Sequence, residues 1–302
     1  MWAALEGFAT IAVVVAVGYL LARTRVVGGS AQKSLGDVAF YVGQPALVLV
    51  AVAGADLDLL VGPHVAAFAL ACILTGLAFG FLLVRRGRTR AEAALGYLSV
   101  SYVNAGNLGM PIAAFMLGDA AWAATAMLVQ VLLLQPSAVA VLESSPAGRG
   151  HSVARSFLTH PLVWGAALGL ALNLTDWQPP SVLWSPMTLL SELAIPAMLL
   201  AFGMSLHSNP LPRLSRLPRL TLAAIATKSL LVPAVTLGLA VLLGLTGTPL
   251  RAAVILAALP TAQVVFVHAL RYRTALSLVQ ATTLWSTLLS VPVIIAAGAF
   301  LH

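Results

Sequence analysis

The chain has 302 residues, 60% of them hydrophobic and only 8% charged, with a mean hydropathy of +0.99. A soluble globule carries roughly 25% charged residues as a polar skin, so this composition excludes a water-soluble domain and leaves lipid as the main solvent. The net charge of +7 does not describe a nucleic-acid surface, because the basic residues fall in short clusters between apolar runs with no interleaved aromatics.

Ten apolar runs follow in order, at about 5–22, 36–54, 60–84, 91–117, 120–142, 157–174, 186–206, 220–243, 252–270 and 274–301. A helix of ~20 apolar residues crosses a bilayer. The runs lack the apolar–polar alternation of a membrane β-barrel, so the expected fold is an all-α polytopic membrane protein with about ten transmembrane helices. The first run has no positive segment before it, and Arg23 and Arg25 follow it. This is the reverse of a cleavable signal peptide and predicts a retained helix with its N-terminus outside. The second run holds Gln44-Pro45-Ala46-Leu47, and the third holds Cys72, the one cysteine. A lone apolar-run cysteine is a small core residue and makes neither an intrachain disulfide nor a thiol metal site.

The fourth run is the most informative. From Ser99 through Asn104, Gly106, Asn107 and Gly109 to Pro111 it places two amides, two glycines and a proline near the middle of a span. Proline lacks the N–H and crowds the preceding turn, and glycine weakens it further. Freed backbone groups at membrane depth must be satisfied by protein or a wet cavity, so a break here predicts a binding cavity. Asn104 and Asn107, at i and i+3, share a face. They are read as substrate ligands, with interhelical hydrogen bonding as the alternative. In the fifth run Gln130 is a lining residue or an interhelical bond. Asp56, Asp58, Asp119 and Asp176 fall in expected outer loops. Trp177 and Trp184 flank the outer end of the seventh run, where interfacial aromatics belong, and Glu192 reads as a residue near the outer interface or paired with a neighbour rather than a coupling carboxylate.

Lys228 stands well inside the eighth run. A buried lysine costs about 2.5–3.5 kcal/mol on insertion scales and usually faces a cavity or a partner. It is read as an anion partner or protonatable group, with snorkelling as the alternative. The ninth run repeats the theme of the fourth, with Leu259-Pro260 followed by Gln263, Val265 and His268. If the two broken spans cross, Pro260 and Gln263 face Pro111 and the asparagines, and the half-helix after Pro111 points its N–H groups and positive dipole end into the cavity, which suits an anion. His268 is a satisfied interfacial histidine or a proton relay.

Charge tests the count. With the N-terminus outside, the inner loops carry 14 of the 16 basic residues, as the positive-inside rule requires. The chain also repeats: Pro45 and Pro196 lie 151 residues apart, and Pro111 and Pro260 lie 149 apart. An odd number of spans per half makes the second copy inverted in the membrane, as in many secondary transporters. The expected division is therefore 1–143, a first five-helix repeat, then an inner linker over 144–156, then 157–302, a second, inverted repeat. There is no phosphate-binding loop, no zinc-spaced cluster and no nucleophile elbow, so neither an enzyme nor a cofactor or metal is expected.

These residues resemble the auxin efflux carrier family, which includes the plant PIN-type carriers and bacterial organic-acid carriers. The resemblance rests on Asn104, Gly109 and Pro111, then Leu117-Gly118-Asp119, Gln130 and Glu143, then His160-Pro161. It continues with Pro196-Ala197-Met198 through Gly203, Lys228 with Pro233, and Leu259-Pro260 through Phe266-Val267 to Tyr272. It implies a scaffold of the first, second, sixth and seventh helices and a moving transport domain of the third to fifth and eighth to tenth. The fourth and ninth helices would cross at the substrate site at Gly109, Pro111, Pro260 and Val265, in an elevator-type carrier that is often a homodimer. Plant members have a second proline where this chain has Val265, and a long inner loop reduced here to about 143–160. The expected function is a secondary transporter of a small organic anion, such as a carboxylate, in the cytoplasmic membrane, with both termini outside and Asn104, Asn107, Gln130, Gln263 and Lys228 at the site. The alternatives are a sodium-coupled symporter of the bile-acid type and a membrane sensor that binds without transporting.

Overall fold

The computed structural model of the chain describes residues 2–28, 30–54, 61–146, 158, 161–175, 177–208 and 212–301. Asp56, Asp58, Arg149, Arg155, His160 and Asp176 lie outside them. Each apolar run holds helix. The order is α1 (Trp2–Thr24), α2 (Ala31–Ala53), α3 (Pro63–Arg85), α4 (Arg90–Ser101), α5 (residues 105–117), α6 (Ala121–Glu143), α7 (Pro161–Thr175), α8 (Ser181–Ser208), α9 (Arg219–Leu242), α10 (Gly247–Ala258), α11 (Gln263–Tyr272) and α12 (Leu276–Phe300). The fourth run is split into α4 and α5, and the ninth into α10 and α11. Among the described residues, six helices are long and apolar enough to cross a membrane alone, α2, α3, α6, α8, α9 and α12, while the apolar stretches Ala12–Thr24 of α1, α7 and α10 are shorter. No strand forms among the described residues apart from one isolated antiparallel bridge, Val103 to Thr261. Leu74, Leu77, Phe81, Leu189, Val241 and Leu242 are each more than half exposed, a surface suited to acyl chains.

Local chemistry explains the helix ends. Thr89 and Glu92 form a reciprocal capping box at the start of α4, Thr89 N–H donating to Glu92 Oε2 at 2.9 Å and Glu92 N–H to Thr89 Oγ1 at 3.2 Å. Gly118, at φ +83°, stops α5, and Asp119 Oδ1 accepts the Ala121 N–H at 2.8 Å to open α6. Prolines shape the interiors. The π-helical turns Ala39–Gly43, Ala105–Gly109, Gln130–Leu134 and Thr227–Leu231 each end immediately before a residue–proline pair, at Pro45, Pro111, Pro136 and Pro233. Proline withholds the donor that the carbonyl four residues earlier needs, and its ring crowds that carbonyl. Widening the turn accommodates both. Pro186, Pro196 and Pro292 lie inside helices without such a turn.

The chain forms two compact units. One comprises Met1–Leu60, Gly106–Thr125 and Leu158–Pro210. Here α1 packs on α8 and α7 on α2, with α8 also against α2 and α5 against α1. The helices meet backbone to backbone. A Cβ on Gly18 would strike the Leu200 carbonyl and one on Gly203 the Val15 carbonyl, while Gly165 and Gly169, four apart on α7, sit over the carbonyls of Pro45 and Leu49. Small residues at this spacing are how membrane helices approach closely. Gln44 donates to Met198 Sδ at 2.9 Å, so the two proline motifs paired in the sequence lie side by side.

The other unit comprises Val61–Ala105, Ala126–Phe157 and Leu211–His302. In it α3 packs against α4, α9 and α10, while α12 packs against α4, α9, α10 and α11. Its polar interior is a stripe of hydroxyls on α12, Thr282, Thr283, Ser286, Thr287 and Ser290, all buried, most of them bonded to carbonyls one turn back. Cys72 is fully buried here. Within the fourth span, residues up to 105 group with the second unit and residues 106–125 with the first.

Candidate functional site

The second unit contains the two breaks. Leu259 precedes a proline, which disfavours helical backbone, and adopts ψ 146° where α10 ends. Tyr102 adopts ψ 106° where α4 ends, with no proline next to it. The two extended segments pair with each other. Asn104 N–H donates to the Pro260 carbonyl at 2.7 Å, and Ala262 N–H donates to the Tyr102 carbonyl at 3.1 Å. Side chains add further bonds around the crossing. Thr261 N–H donates to Ser286 Oγ at 3.1 Å, Thr261 Oγ1 donates to the Ser99 carbonyl at 2.6 Å, and Tyr102 OH donates to Gln135 Oε1 at 3.1 Å. Each broken span thus supplies the other with the partners that lipid cannot.

The break in the fourth span lies at residues 102–104, not at Pro111. Gly109 and Pro111 sit further on, inside helical backbone, because the widened turn before Pro111 absorbs its missing donor. Val265 lies within α11, fully buried, its N–H bonded to the Ala262 carbonyl. Of the four residues expected to make the crossover, Pro260 is at it and the other three flank it.

The expected ligands divide as follows. Asn104, 5% exposed, stands in the bridge itself, and Gln263, half-buried, opens α11 directly after it. Gln130 is 2% exposed in the widened turn of α6, and its Oε1 is buried with no hydrogen-bond partner. Asn107 lies in the turn Ala105–Gly109; its side chain is outside the described residues. Lys228 is fully buried, with Nζ donating to the Ala257 carbonyl at 3.0 Å, one residue before the end of α10. His268 stacks on Tyr272, ring centroids 6.5 Å apart, and Tyr272 OH donates to Glu143 Oε1 at 2.6 Å, which ties the ends of α11 and α6 together. Glu192 is exposed. A cavity of about 500 Å³ at the ends of α2 and α7 is lined by Gly54, Asn173, Trp177 and Trp184, none of them an expected ligand.

Sequence reading missed Thr261, Ser99, Ser286, Tyr102 and Gln135. Their signal was faint: a threonine directly after Pro260, and hydroxyls recurring every three or four residues on the last run.

Residues 3–146 and 149–296 match the family described as membrane transport protein. The chain belongs to this family, the auxin efflux carriers. Two curated relatives align over nearly the full length. The "Putative malonate transporter" of Rhizobium meliloti (strain 1021) is 29% identical over 287 residues, 91% of this chain and 88% of the relative. An "Uncharacterized transporter" of Methanothermobacter thermautotrophicus is 25% identical over 294 residues, 94% of each chain. This membrane transport protein therefore has the paired helix breaks in a multi-pass helical chain of the kind its composition demanded.

Proposed function

We propose that the chain is a secondary transporter that moves a small organic anion, of the malonate-like dicarboxylate class, across the cytoplasmic membrane by elevator-type alternating access. The observation that carries this reading is the crossing: two spans interrupted at the same place and hydrogen-bonded to each other between Tyr102–Asn104 and Pro260–Ala262. Such breaks belong to substrate sites in transporters because irregular backbone persists at membrane depth only beside a cavity or protein. Asn104, Gln130 and Gln263 line the site. Asn107 joins them on its spacing from Asn104 alone.

Electrostatics favour an anion. At the crossing, the negative helix ends are occupied: Thr261 Oγ1 bonds the Ser99 carbonyl of α4, and Lys228 bonds the Ala257 carbonyl of α10. The N-terminal end of α11 follows the crossing directly and presents the positive end of its helix dipole there. The name carried by the Rhizobium relative supports a dicarboxylate as cargo. The reciprocal packing of α1 on α8 and α7 on α2, with Gln44 against Met198, supports ten spans in two inverted five-helix halves. The two compact units support a scaffold and a transport domain; a homodimer with both termini outside completes the reading.

The test is counterflow. Purified protein in liposomes preloaded with unlabelled malonate takes up labelled malonate saturably, and other dicarboxylates compete. Uptake that depends on an imposed sodium gradient selects the symporter instead, and malonate binding without counterflow selects a sensor.

A further inference from the structure

We propose that Lys228 is a positioning residue. Its ammonium caps the broken end of α10 and sets where the crossing lies, without touching the transported molecule. The need for such a cap follows from the chain. The Ala257 carbonyl would ordinarily close the last turn of α10 with a donor three or four residues on. The first candidate is Pro260, which has no N–H. The second is the Thr261 N–H, which is turned onto Ser286 Oγ at 3.1 Å. Lys228 Nζ, reaching in from the widened turn Thr227–Leu231 of α9, takes their place at 3.0 Å.

The charge matters as well as the donor. A helix C-terminus carries about half a negative charge, and a cation there is favourable. The corresponding end of α4 is closed by neutral donors, the Tyr102 N–H on the Leu98 carbonyl and Thr261 Oγ1 on the Ser99 carbonyl, so α10 is the end held by a cation. Lys228 forms no ion pair with a carboxylate of the described residues and donates to the Ala257 carbonyl instead, which leaves the end of α10 to balance it. Lys228 is fully buried and its ammonium is directed onto the Ala257 carbonyl. A displaced α10 end would carry with it Pro260, the bond to Asn104 and the start of α11 at Gln263, which is how the lysine acts on the site at a distance. The functional half of this inference rests on the transport reading above; the structural half does not.

Amide hydrogen exchange of the substrate-free protein in lipid nanodiscs, read on peptides spanning residues 257–265, separates the two. Lys228→Met is expected to raise exchange there at least tenfold and to lower the unfolding temperature, and Lys228→Arg to restore both in part. In liposomes, Lys228→Met is expected to lower uptake of a dicarboxylate and a monocarboxylate by the same factor. Should Lys228→Met fail to fold, Lys228→Gln, which keeps a donor and drops the charge, is expected to show intermediate exchange. Wild-type exchange in both neutral variants overturns the proposal. So does a KM that rises more for the dicarboxylate than for the monocarboxylate with exchange unchanged, the pattern of a direct ligand. If the wild-type protein moves no carboxylate, the transport reading fails and the exchange measurement still decides the cap.

Discussion

Gln130 and Thr261 sit in the same unit and have opposite hydrogen-bond balances. The Gln130 side-chain oxygen is buried with no donor, and a buried acceptor left open costs about 1–3 kcal/mol. Replacing it by an apolar residue of similar length removes that cost, so Gln130→Met is expected to unfold at the same temperature as the wild type or higher. As a substrate ligand it is also expected to weaken malonate binding by about tenfold, the worth of one good hydrogen bond to a charged group. A loss of thermal stability with unchanged KM would assign Gln130 to interhelical bonding. Thr261 has the reverse profile, because its hydroxyl donates at 2.6 Å to the Ser99 carbonyl. Thr261→Val leaves that carbonyl open at the crossing and is expected to cost about 1–3 kcal/mol of stability, measured by thermal or denaturant unfolding. The difference in legibility has the same cause. Amides such as Asn104 and Gln263 stand out in an apolar run because they are costly there, whereas Thr261, Ser99 and Ser286 look like any hydroxyl that bonds its own helix, and only the tertiary partner reveals the role.

Helix by helix, proline and glycine carry most of the information. The restriction on the residue before a proline ends α10 at Leu259, because it is local. It fails for the fourth span, where Pro111 is accommodated by the widened turn Ala105–Gly109 and the backbone opens instead at residues 102–104. That opening is imposed by pairing with residues 260–262, from the other half of the chain, which no local pattern encodes. Glycine at a close helix contact is more predictable in effect than in location. Gly169 sits 2.7 Å, measured from its ideal Cβ, from the Leu49 carbonyl, so Gly169→Leu must push α7 off α2. Overpacking of this kind costs about 1–3 kcal/mol, and the expected result is a lower unfolding temperature and lower yield of folded protein in detergent, with Gly238→Leu, at a position open to its surroundings, unaffected.

For the molecule as a whole, composition determined the solvent and the charge alternation predicted the spacing of spans; both are properties summed over many residues and tolerate local error. The proline echoes at offsets of 151 and 149 residues pointed to two related halves, and the first pair is in contact through Gln44 and Met198. What summed properties could not reveal was how the fourth span divides between compact units, with residues 106–125 in one and residues up to 105 in the other, because that depends on packing against α1 rather than on hydropathy. The proposed alternating-access transport belongs to this scale, and counterflow is its most direct test, because exchange needs no driving gradient and so does not depend on the coupling ion. In liposomes holding the purified protein and unlabelled malonate, the account predicts saturable entry of labelled malonate, faster than into empty liposomes and lost by competition with other dicarboxylates. Equal entry into loaded and empty liposomes, at the rate of protein-free lipid, would contradict it.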